Sequence, residues 1–166
     1  LTDLPNRTLL VERLQQNIYL AKRKEKHVAF LMLDLNNFKE VNDTLGHPQG
    51  DRLLADVARR LPTALRQSDT VGRLGGDEFG IVLPETESGQ AVDVAKKVLA
   101  SLEPSFELDG QVLSIGASIG IALFPEHGED EESLIRYADI AMYEAKSSKG
   151  EPCLYDPDAD HYTTVR

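Results

Sequence analysis

The stretch TVGRLGGDEFGIVL, residues 70–83, decides how the chain folds. Its β-rich runs at 70–74 and 79–83 flank a turn at 75–78, where two glycines favour a tight β-hairpin. Strands joined by so short a turn pair antiparallel, because a parallel pair needs a crossover of about a dozen residues or more. The stretch therefore predicts a β-hairpin and excludes a doubly wound parallel nucleotide fold.

Helices and further strands surround this hairpin. Apolar residues recur at helical spacing in several segments, and continuous apolar runs indicate buried strands. The first predicted helix is capped by Pro5-Asn6, has its apolar positions within 9–21 and ends in the basic cluster 22–26. The other predicted helices cover 37–45, 49–66, 91–102 and 132–146, and the other predicted strands cover 28–35, 106–108, 112–115, 119–124 and 153–155. Pro62 predicts a kink or a restart of the helix near Leu61, and Asp109-Gly110 predicts a second hairpin. We expect an α/β (α+β) domain in which helices cover a central, mainly antiparallel sheet.

The composition suits one domain with a real core. Of the 166 residues, 41% are hydrophobic and 28% are charged, which argues against a disordered tail. We expect a domain over residues 1–156 and a linker at 157–166 toward a following domain. The 28 acidic residues exceed the 18 Lys and Arg residues, giving a formal charge of −10. Such a surface repels nucleic-acid polymers, whereas metal ions could bridge it to a small anionic substrate.

Neither a membrane span nor a secretory leader is predicted. No apolar run approaches the roughly 20 residues that a span needs, and no basic-then-apolar leader opens the sequence. The single Cys153 excludes an internal disulfide and suits a reducing compartment. Because the sequence begins with Leu1 rather than Met, we expect a piece of a longer protein. We expect this piece in the cytoplasm without direct membrane contact, and membrane anchoring of the parent protein stays open.

Two acidic positions stand out from their surroundings. Asp34 lies near the end of the apolar run 28–35, where an unpaired carboxylate would cost several kcal/mol. Asp77 and Glu78 follow two glycines, which let a phosphate approach the backbone, and adjacent carboxylates attract a divalent cation. If the hairpin pairs beside strand 28–35, Asp34 and Asp77 converge in a set suited to Mg²⁺ chemistry on a nucleoside triphosphate. An ordinary turn and a satisfied strand-end acid are the alternatives.

The turn and several separated motifs resemble one family. Gly75-Gly76-Asp77-Glu78-Phe79 spells the signature of the GGDEF family, the diguanylate cyclases. The stretches LTDLPNR at 1–7, DLNNFKEVNDTLGHPQGD at 34–51, ASIGIA at 117–122 and ADIAMYEAK at 138–146 resemble the family's other motifs, in order. The resemblance covers nearly the whole chain and implies the palm-like fold of nucleotide cyclases.

The resemblance implies a reaction and a metal site. Two GTP molecules would become cyclic di-GMP and two pyrophosphates. The carboxylates of Asp34, Asp77 and Glu78 and the Leu35 carbonyl would hold Mg²⁺ or Mn²⁺, since oxygen ligands suit both ions. Asp77 would also accept the proton of the 3′-hydroxyl, and Lys39 would stabilise charge that develops on the phosphates.

Other motif positions would bind GTP. Asn42 and Asp51 would accept from the N1 and N2 donors of guanine, a pattern that adenine lacks. Lys146 would reach the terminal phosphates. The full predicted GTP set is Phe38, Asn42, His47, Asp51, Gly75, Gly76 and Lys146. Taken singly, Asn42 and Asp51 are also typical of helix caps, His47 of a turn, and Lys39 and Lys146 of solvated helix charges.

Arg66-Gln67-Ser68-Asp69 forms a second candidate site. It lies nine residues before Gly75 and resembles the family's RxxD inhibitory site, which holds the cyclic product. Arg pairs bidentately with phosphate or guanine, and Asp accepts from guanine nitrogens. Arg73 would assist nearby. A surface ion pair of little energetic value is the alternative.

Two positions depart from the family pattern. Asn36 stands where many relatives carry a second Asp, so the metal would depend on Asp34 and Leu35. Lys149-Gly150 stands where relatives often carry Gly and then Arg, so the cation is shifted by one residue.

The symmetry of the product implies a partner. Each 3′-hydroxyl must attack the other nucleotide's α-phosphate, so a second GGDEF chain must face the first. The fragment would bind GTP, dimerise weakly and turn over slowly when dilute. The rival hypothesis is a non-catalytic module that senses GTP or cyclic di-GMP and regulates a fused EAL phosphodiesterase domain, because residues 155–160 resemble the junction into such a domain.

Overall fold

Five α-helices and seven strands make up the described part of the chain, residues 2–148 and 150–159, in a computed structural model. The helices are α1 (Arg7–Lys24), α2 (Phe38–Leu45), α3 (His47–Arg60), α4 (Ser88–Leu102) and α5 (Glu131–Ala145). The strands are β1 (Val28–Leu35), β2 (Thr70–Gly75), β3 (Glu78–Pro84), β4 (Phe106–Leu108), β5 (Gln111–Leu113), β6 (Ala117–Phe124) and β7 (Cys153–Leu154). Short 3₁₀ helices occupy Leu61–Ala64 and Pro157–Ala159.

The main sheet has the strand order β2-β3-β1-β6-β7, with β1 in the centre. β1 pairs antiparallel with β3 and β6, β2 pairs antiparallel with β3, and β7 runs parallel to β6. β4 and β5 form a separate hairpin. Every β1 residue is buried, as its continuous apolar run predicts. The mainly antiparallel sheet between helices confirms the predicted fold class.

Helices bury both faces of this sheet. Side chains alternate along a strand, so Leu31 packs in the core with α3 and α4, whereas Phe30 packs with α1 and α5. Gly120 of β6 lets α5 approach closely, because a Cβ there would collide with the Ala138 carbonyl oxygen. Close packing of α5 against the sheet positions Lys146, the residue that follows the helix.

Two prolines set the ends of α3. The helix begins two residues earlier than predicted, and Pro48 fits its first turn because the missing N–H would have no helical partner there. It ends at Arg60, and Pro62 lies in the 3₁₀ turn that follows. The predicted break near Leu61 is confirmed, whereas the predicted helix through residue 66 is wrong, because the chain is already extended at Leu65.

The predicted strand 112–115 is shorter in the structure, where β5 ends at Leu113. Near the other end of the described chain, Tyr155 is buried, and its N–H donates to the Ile121 carbonyl at 2.7 Å. The predicted linker 157–166 begins as a 3₁₀ turn at Pro157–Ala159, and its remainder lies outside the described residues.

Among the described helices, none is both long enough and apolar enough to cross a bilayer.

Candidate active site

The central strands bring the predicted acids together at one end of the sheet. Asp34 of β1 lies opposite Glu78 of β3 in the register, and the Leu35 N–H donates to the Asp77 carbonyl at 3.3 Å. Asp34 is 9% exposed, which places its carboxylate at the edge of the core. The predicted convergence of Asp34 with the hairpin turn is confirmed.

The turn itself needs its glycines. Gly75 and Gly76 have φ values of +152° and +51°, a region that side chains rarely adopt, and both are exposed with open space around them. The Arg73 guanidinium donates to the Gly76 carbonyl from Nε at 3.0 Å and from Nη2 at 2.8 Å. Arg73 therefore fixes the turn, a role that the sequence interpretation missed when it placed this residue beside the inhibitory site.

Burial and neighbouring acids raise the pKa values of Asp77 and Glu78. Burial raises the pKa of Asp77 to about 6, and the neighbouring Asp34 carboxylate adds to the rise. Burial also raises the pKa of Glu78, with further contributions from Asp139 and Asp34. Negative charge is therefore concentrated here beyond what the protein itself neutralises, as expected of a site that receives cations.

Lys146 supplies part of the missing positive charge. Its Nζ donates to Asp34 Oδ2 at 2.7 Å, and this bond raises the pKa of the lysine. The sequence placed Lys146 at the terminal phosphates or among solvated helix charges, but not on Asp34. The two residues lie 112 positions apart, so no local pattern announced the pair.

The donor set suits a hard divalent ion. Asp34 Oδ1 is buried and accepts no hydrogen bond from the described residues. Asp77 and Leu35 are neighbours in space, because the Leu35 N–H donates to the Asp77 carbonyl. Oxygen donors of this kind match Mg²⁺. In the described residues, no three His, Cys, Asp or Glu side chains form a group that could hold a metal by themselves. An ion would therefore also need the peptide carbonyl, water or substrate phosphate oxygens, as Mg²⁺ commonly does.

Helices α2 and α3, which follow β1 in the chain, form one side of the candidate site, called here the α2–α3 wall. Phe38 is buried at the start of α2, and Lys39 is exposed beside it. Gly50 of α3 has no space for a side chain, because a Cβ there would overlap Asn42 Oδ1. This close approach brings Asn42 next to the turn of α3 that carries Asp51. Asp51 and His47 are both exposed.

Asn36 has a structural role. Its side-chain oxygen accepts from Ser118 Oγ at 2.9 Å, and its N–H donates to the Gly116 carbonyl at 2.8 Å. These bonds tie the end of β1 to β6 rather than engaging the acids. The other departure from the pattern includes Lys149, which lies outside the described residues.

Arg66 and Asp69 lie at the far end of the sheet. The Arg66 guanidinium donates to Asp69 Oδ1 at 2.9 Å, to the Pro84 carbonyl at 3.0 Å and to Thr86 Oγ1 at 3.1 Å. The Asp69 side chain is only 1% exposed and also accepts the Arg66 N–H at 2.8 Å. Pro84 pairs with the first residue of β1 and Glu78 with Asp34, so the two sites lie roughly 20 Å apart along β3.

Comparison with known proteins identifies the family. A family model described as "Diguanylate cyclase, GGDEF domain" matches residues 1–152. The chain belongs to the GGDEF family. This membership confirms the resemblance seen in the sequence motifs, and the GGDEF domain spans nearly all of the described residues.

Relatives from Pseudomonas aeruginosa are close to this GGDEF domain. It is 44% identical over 146 residues to the bifunctional diguanylate cyclase/cyclic di-GMP phosphodiesterase MucR, covering 88% of this chain and 21% of MucR. It is 43% identical over 148 residues to the diguanylate cyclase TpbB, covering 88% of this chain and 34% of TpbB. The chain thus spans about one fifth of the length of MucR and about one third of the length of TpbB.

A solved structure matches the fold over the whole domain. The crystal structure of the GGDEF domain of YfiN (or TpbB) from P. aeruginosa superposes with a TM-score of 0.91 at 42% identity. The match covers 94% of this chain and 99% of that domain.

Proposed function

We propose that this GGDEF domain is a diguanylate cyclase, which condenses two GTP molecules into cyclic di-GMP and two pyrophosphates. The observation that carries the proposal is the convergence of Asp34, Asp77 and Glu78 beside the glycine turn. Family membership supports the same activity. We assign the domain to residues 1–156 and the reaction to the cytoplasm, which fits the single cysteine.

Asp77 is the proposed general base. In each of two equivalent steps, the O3′–Pα bond forms, the bond from Pα to the pyrophosphate oxygen breaks, and the hydroxyl proton passes to the Asp77 carboxylate. A carboxylate that also binds a metal ion is only a modest base, so Asp77 would depend on that ion for the proton transfer. Asp34, Glu78 and the Leu35 carbonyl would share with Asp77 the binding of Mg²⁺, or of Mn²⁺. The bound ion would neutralise phosphate charge and lower the pKa of the hydroxyl.

Two lysines are proposed to neutralise the phosphates. Lys39 is exposed on the first turn of α2, where it can approach the charge that develops at Pα. Lys146 is bound to Asp34, and we infer that it exchanges this partner for the terminal phosphates as the nucleotide enters. Gly75 and Gly76 leave the backbone of the turn open.

Guanine recognition is assigned to the α2–α3 wall. Asn42 and Asp51 can accept from the N1 and N2 donors that distinguish guanine from adenine. Phe38 and His47 belong to the same two helices and complete the proposed pocket.

Feedback by cyclic di-GMP is proposed at Arg66 and Asp69. The pair is bound to itself and to the backbone, so the product would have to replace existing hydrogen bonds. The expected affinity is therefore lower than for a preformed, unpaired guanidinium. The distance from Asp34 implies inhibition through domain placement rather than direct competition.

The reaction requires a second GGDEF chain. Each chain would present one bound GTP, because a single nucleotide cannot provide both attacking hydroxyls and both α-phosphates. An isologous pair matches the twofold symmetry of the product.

A second candidate function is a weakly catalytic module that binds GTP or cyclic di-GMP and regulates an attached EAL domain. The bifunctional name of MucR, of which this chain covers 21%, supports the attached phosphodiesterase domain but not weak catalysis. The Lys146–Asp34 bond favours weak catalysis, since an ammonium on a metal-binding carboxylate opposes ion binding.

Incubation of the protein with GTP and Mg²⁺, followed by chromatography of the products, separates the two functions. A cyclase yields cyclic di-GMP at a rate that rises faster than linearly with protein concentration. Asp93→Asn, on the exposed side of α4, is the matched control for Asp77→Asn. GTP binding without cyclic di-GMP at high protein concentration would overturn the cyclase proposal and leave the sensing module.

A further inference from the structure

Helix α3 is held between two neighbours. Successive helical residues are about 100° apart around the axis, so Gly50 and Arg52 lie on nearly opposite sides, with Asp51 between them. On one side Gly50 packs against Asn42 of α2. On the other side Gln49 and Arg52 reach the turn of the β4–β5 hairpin. The orientation of Asp51 therefore depends on both contacts.

Asp109 makes the contact from the hairpin. Its Oδ2 accepts from Gln49 Nε2 and its Oδ1 accepts from Arg52 Nη1, so each carboxylate oxygen holds one side chain. The residue has φ +49° at the tip of the turn, a conformation that Asp tolerates better than most residues. These two donors lower the pKa of Asp109, which keeps it ionised.

A second attachment lies at the other end of the same helix. Arg60 donates to the carbonyls of Pro104 and Ser105, just before β4. Its guanidinium also lies 3.6 Å from the centre of the Phe106 ring. Because the hairpin binds α3 at both ends, it limits both sliding and rotation of the helix.

We propose that Asp109 is a positioning residue for base recognition, which sets Asp51 against Asn42 by holding Gln49 and Arg52. The inference rests on the proposed function, since it assumes that Asn42 and Asp51 read guanine. Asp109 does not touch the nucleotide in this assignment and acts only through α3.

Stability is a poor explanation for this contact. The Asp109 and Arg52 side chains are 63% and 51% exposed, and ion pairs at such exposure stabilise a fold very little. Small displacements of recognition groups, by contrast, have large effects on binding and turnover. The two roles therefore predict different outcomes for the same substitution.

The test compares Asp109→Ala with Glu107→Ala, an exposed residue of the same hairpin outside the contact. GTP and ITP are the probes, because ITP lacks the 2-amino group. For Asp109→Ala we expect KM for GTP to rise about fivefold with kcat within about twofold, and the preference for GTP over ITP to fall about threefold. Isothermal titration with each nucleotide should show the same loss of preference, and the melting temperature should stay within about 2 °C.

Arg52→Ala should reproduce the loss of preference, and Asp109→Asn should lie between the wild type and Asp109→Ala. A lower melting temperature with an unchanged GTP-to-ITP ratio would overturn the inference in favour of a structural role. An Asp109→Ala protein indistinguishable from the wild type would also overturn it. If the wild type neither binds nor converts GTP, the proposed function fails first and this inference with it.

Discussion

The two ends of the central sheet differ in how far their buried carboxylates are paired with positive charge. At the Asp34 end, carboxylates from β1 and the turn crowd together, and burial raises the pKa values of Asp77 and Glu78. At the Pro84 end, the buried Asp69 carboxylate accepts both the backbone N–H and the guanidinium of Arg66. The first end is short of positive charge, whereas the second is already satisfied. Chemistry that needs a cation therefore belongs at the first end, and substitutions at the two ends should change stability in opposite directions.

The largest expected effect is at the crowded end. Asp77→Asn should lower cyclic di-GMP formation by about 100-fold or more, because it removes the proposed base. It should also stabilise the metal-free protein at pH 7 by about 1 kcal/mol, a figure reduced for the partial exposure of the group. Product chromatography and thermal melts check both effects.

The pH dependence of folding stability shows whether Asp77 stabilises or destabilises the fold. The pKa of Asp77 is raised from 3.8 to about 6, so the folded protein binds the proton more tightly than the unfolded chain does. The stabilising contribution of this group is present below pH 3.8 and is lost as the pH rises through about 6. Asp77→Asn should flatten this part of the profile, while Asp93→Asn should not. Equal destabilisation by both variants would contradict the crowded-acid description.

At the Pro84 end, removing a charged side chain should lower the stability of the fold rather than raise it. Arg66→Ala should destabilise the fold by about 2 kcal/mol, because it leaves the buried Asp69 carboxylate without its cation. It should also abolish inhibition by cyclic di-GMP if the pair binds the product. Denaturant unfolding measures the first effect, and product titration of the initial rate measures the second.

Arg66→Lys separates these effects. It keeps the charge but loses the fork that reaches Asp69, Pro84 and Thr86 together. We expect intermediate stability. An unchanged unfolding free energy for Arg66→Ala would show that the pair is merely a surface contact.

A smaller effect is expected at Lys146, where the crowded end is partly neutralised. Lys146→Met should weaken GTP binding about tenfold, because a phosphate partner is lost. Isothermal titration with GTP measures this change in affinity. Affinity equal to that of the wild type would place the lysine outside the phosphate site.

The smallest effect concerns His127, which follows β6 at the same end of the sheet as Pro84 and bonds to Leu123. Burial lowers its pKa from 6.5, and its Nδ1 accepts the Leu123 N–H at 2.9 Å, so the folded state requires the neutral ring. Its stabilising contribution is present above pH 6.5 and is lost as the pH falls below that value. His127→Gln should reduce this acid-side loss of stability by less than about 1 kcal/mol, without changing the activity of the folded protein. A thermal melt series between pH 5 and 8 measures it, and an unaltered acid limb would contradict the assignment.

Local patterns predicted the fold well. The continuous apolar run of β1 predicts a buried strand, and the short glycine turn predicts that β2 and β3 pair antiparallel, as the structure has them. The pairing of β3 with β1 is a condition of the site hypothesis, and the structure meets it. Pro62 correctly predicts the break at the end of α3. Pro48 belongs to the first turn of α3 rather than to the loop before it, so the predicted start of the helix is too late.

The sequence did not predict contacts between residues that are far apart along the chain. The Lys146–Asp34 bond joins positions 112 residues apart, and the Asp109 contacts with Gln49 and Arg52 join positions 60 and 57 apart. No periodicity encodes such pairs, because they depend on how whole elements pack. The Arg73 bond to Gly76 is local, and an Arg three residues before an exposed glycine carbonyl was its only sequence signal.

The dependence of GTP affinity on Mg²⁺ tests most directly whether the crowded acids hold an ion under the nucleotide. Isothermal titration would compare the wild type with Asp34→Asn, with and without Mg²⁺, at fixed ionic strength. We predict that Mg²⁺ strengthens GTP binding about tenfold or more in the wild type and changes it little in Asp34→Asn. Equal strengthening by Mg²⁺ in both proteins would contradict the account, because the ion would then act without Asp34.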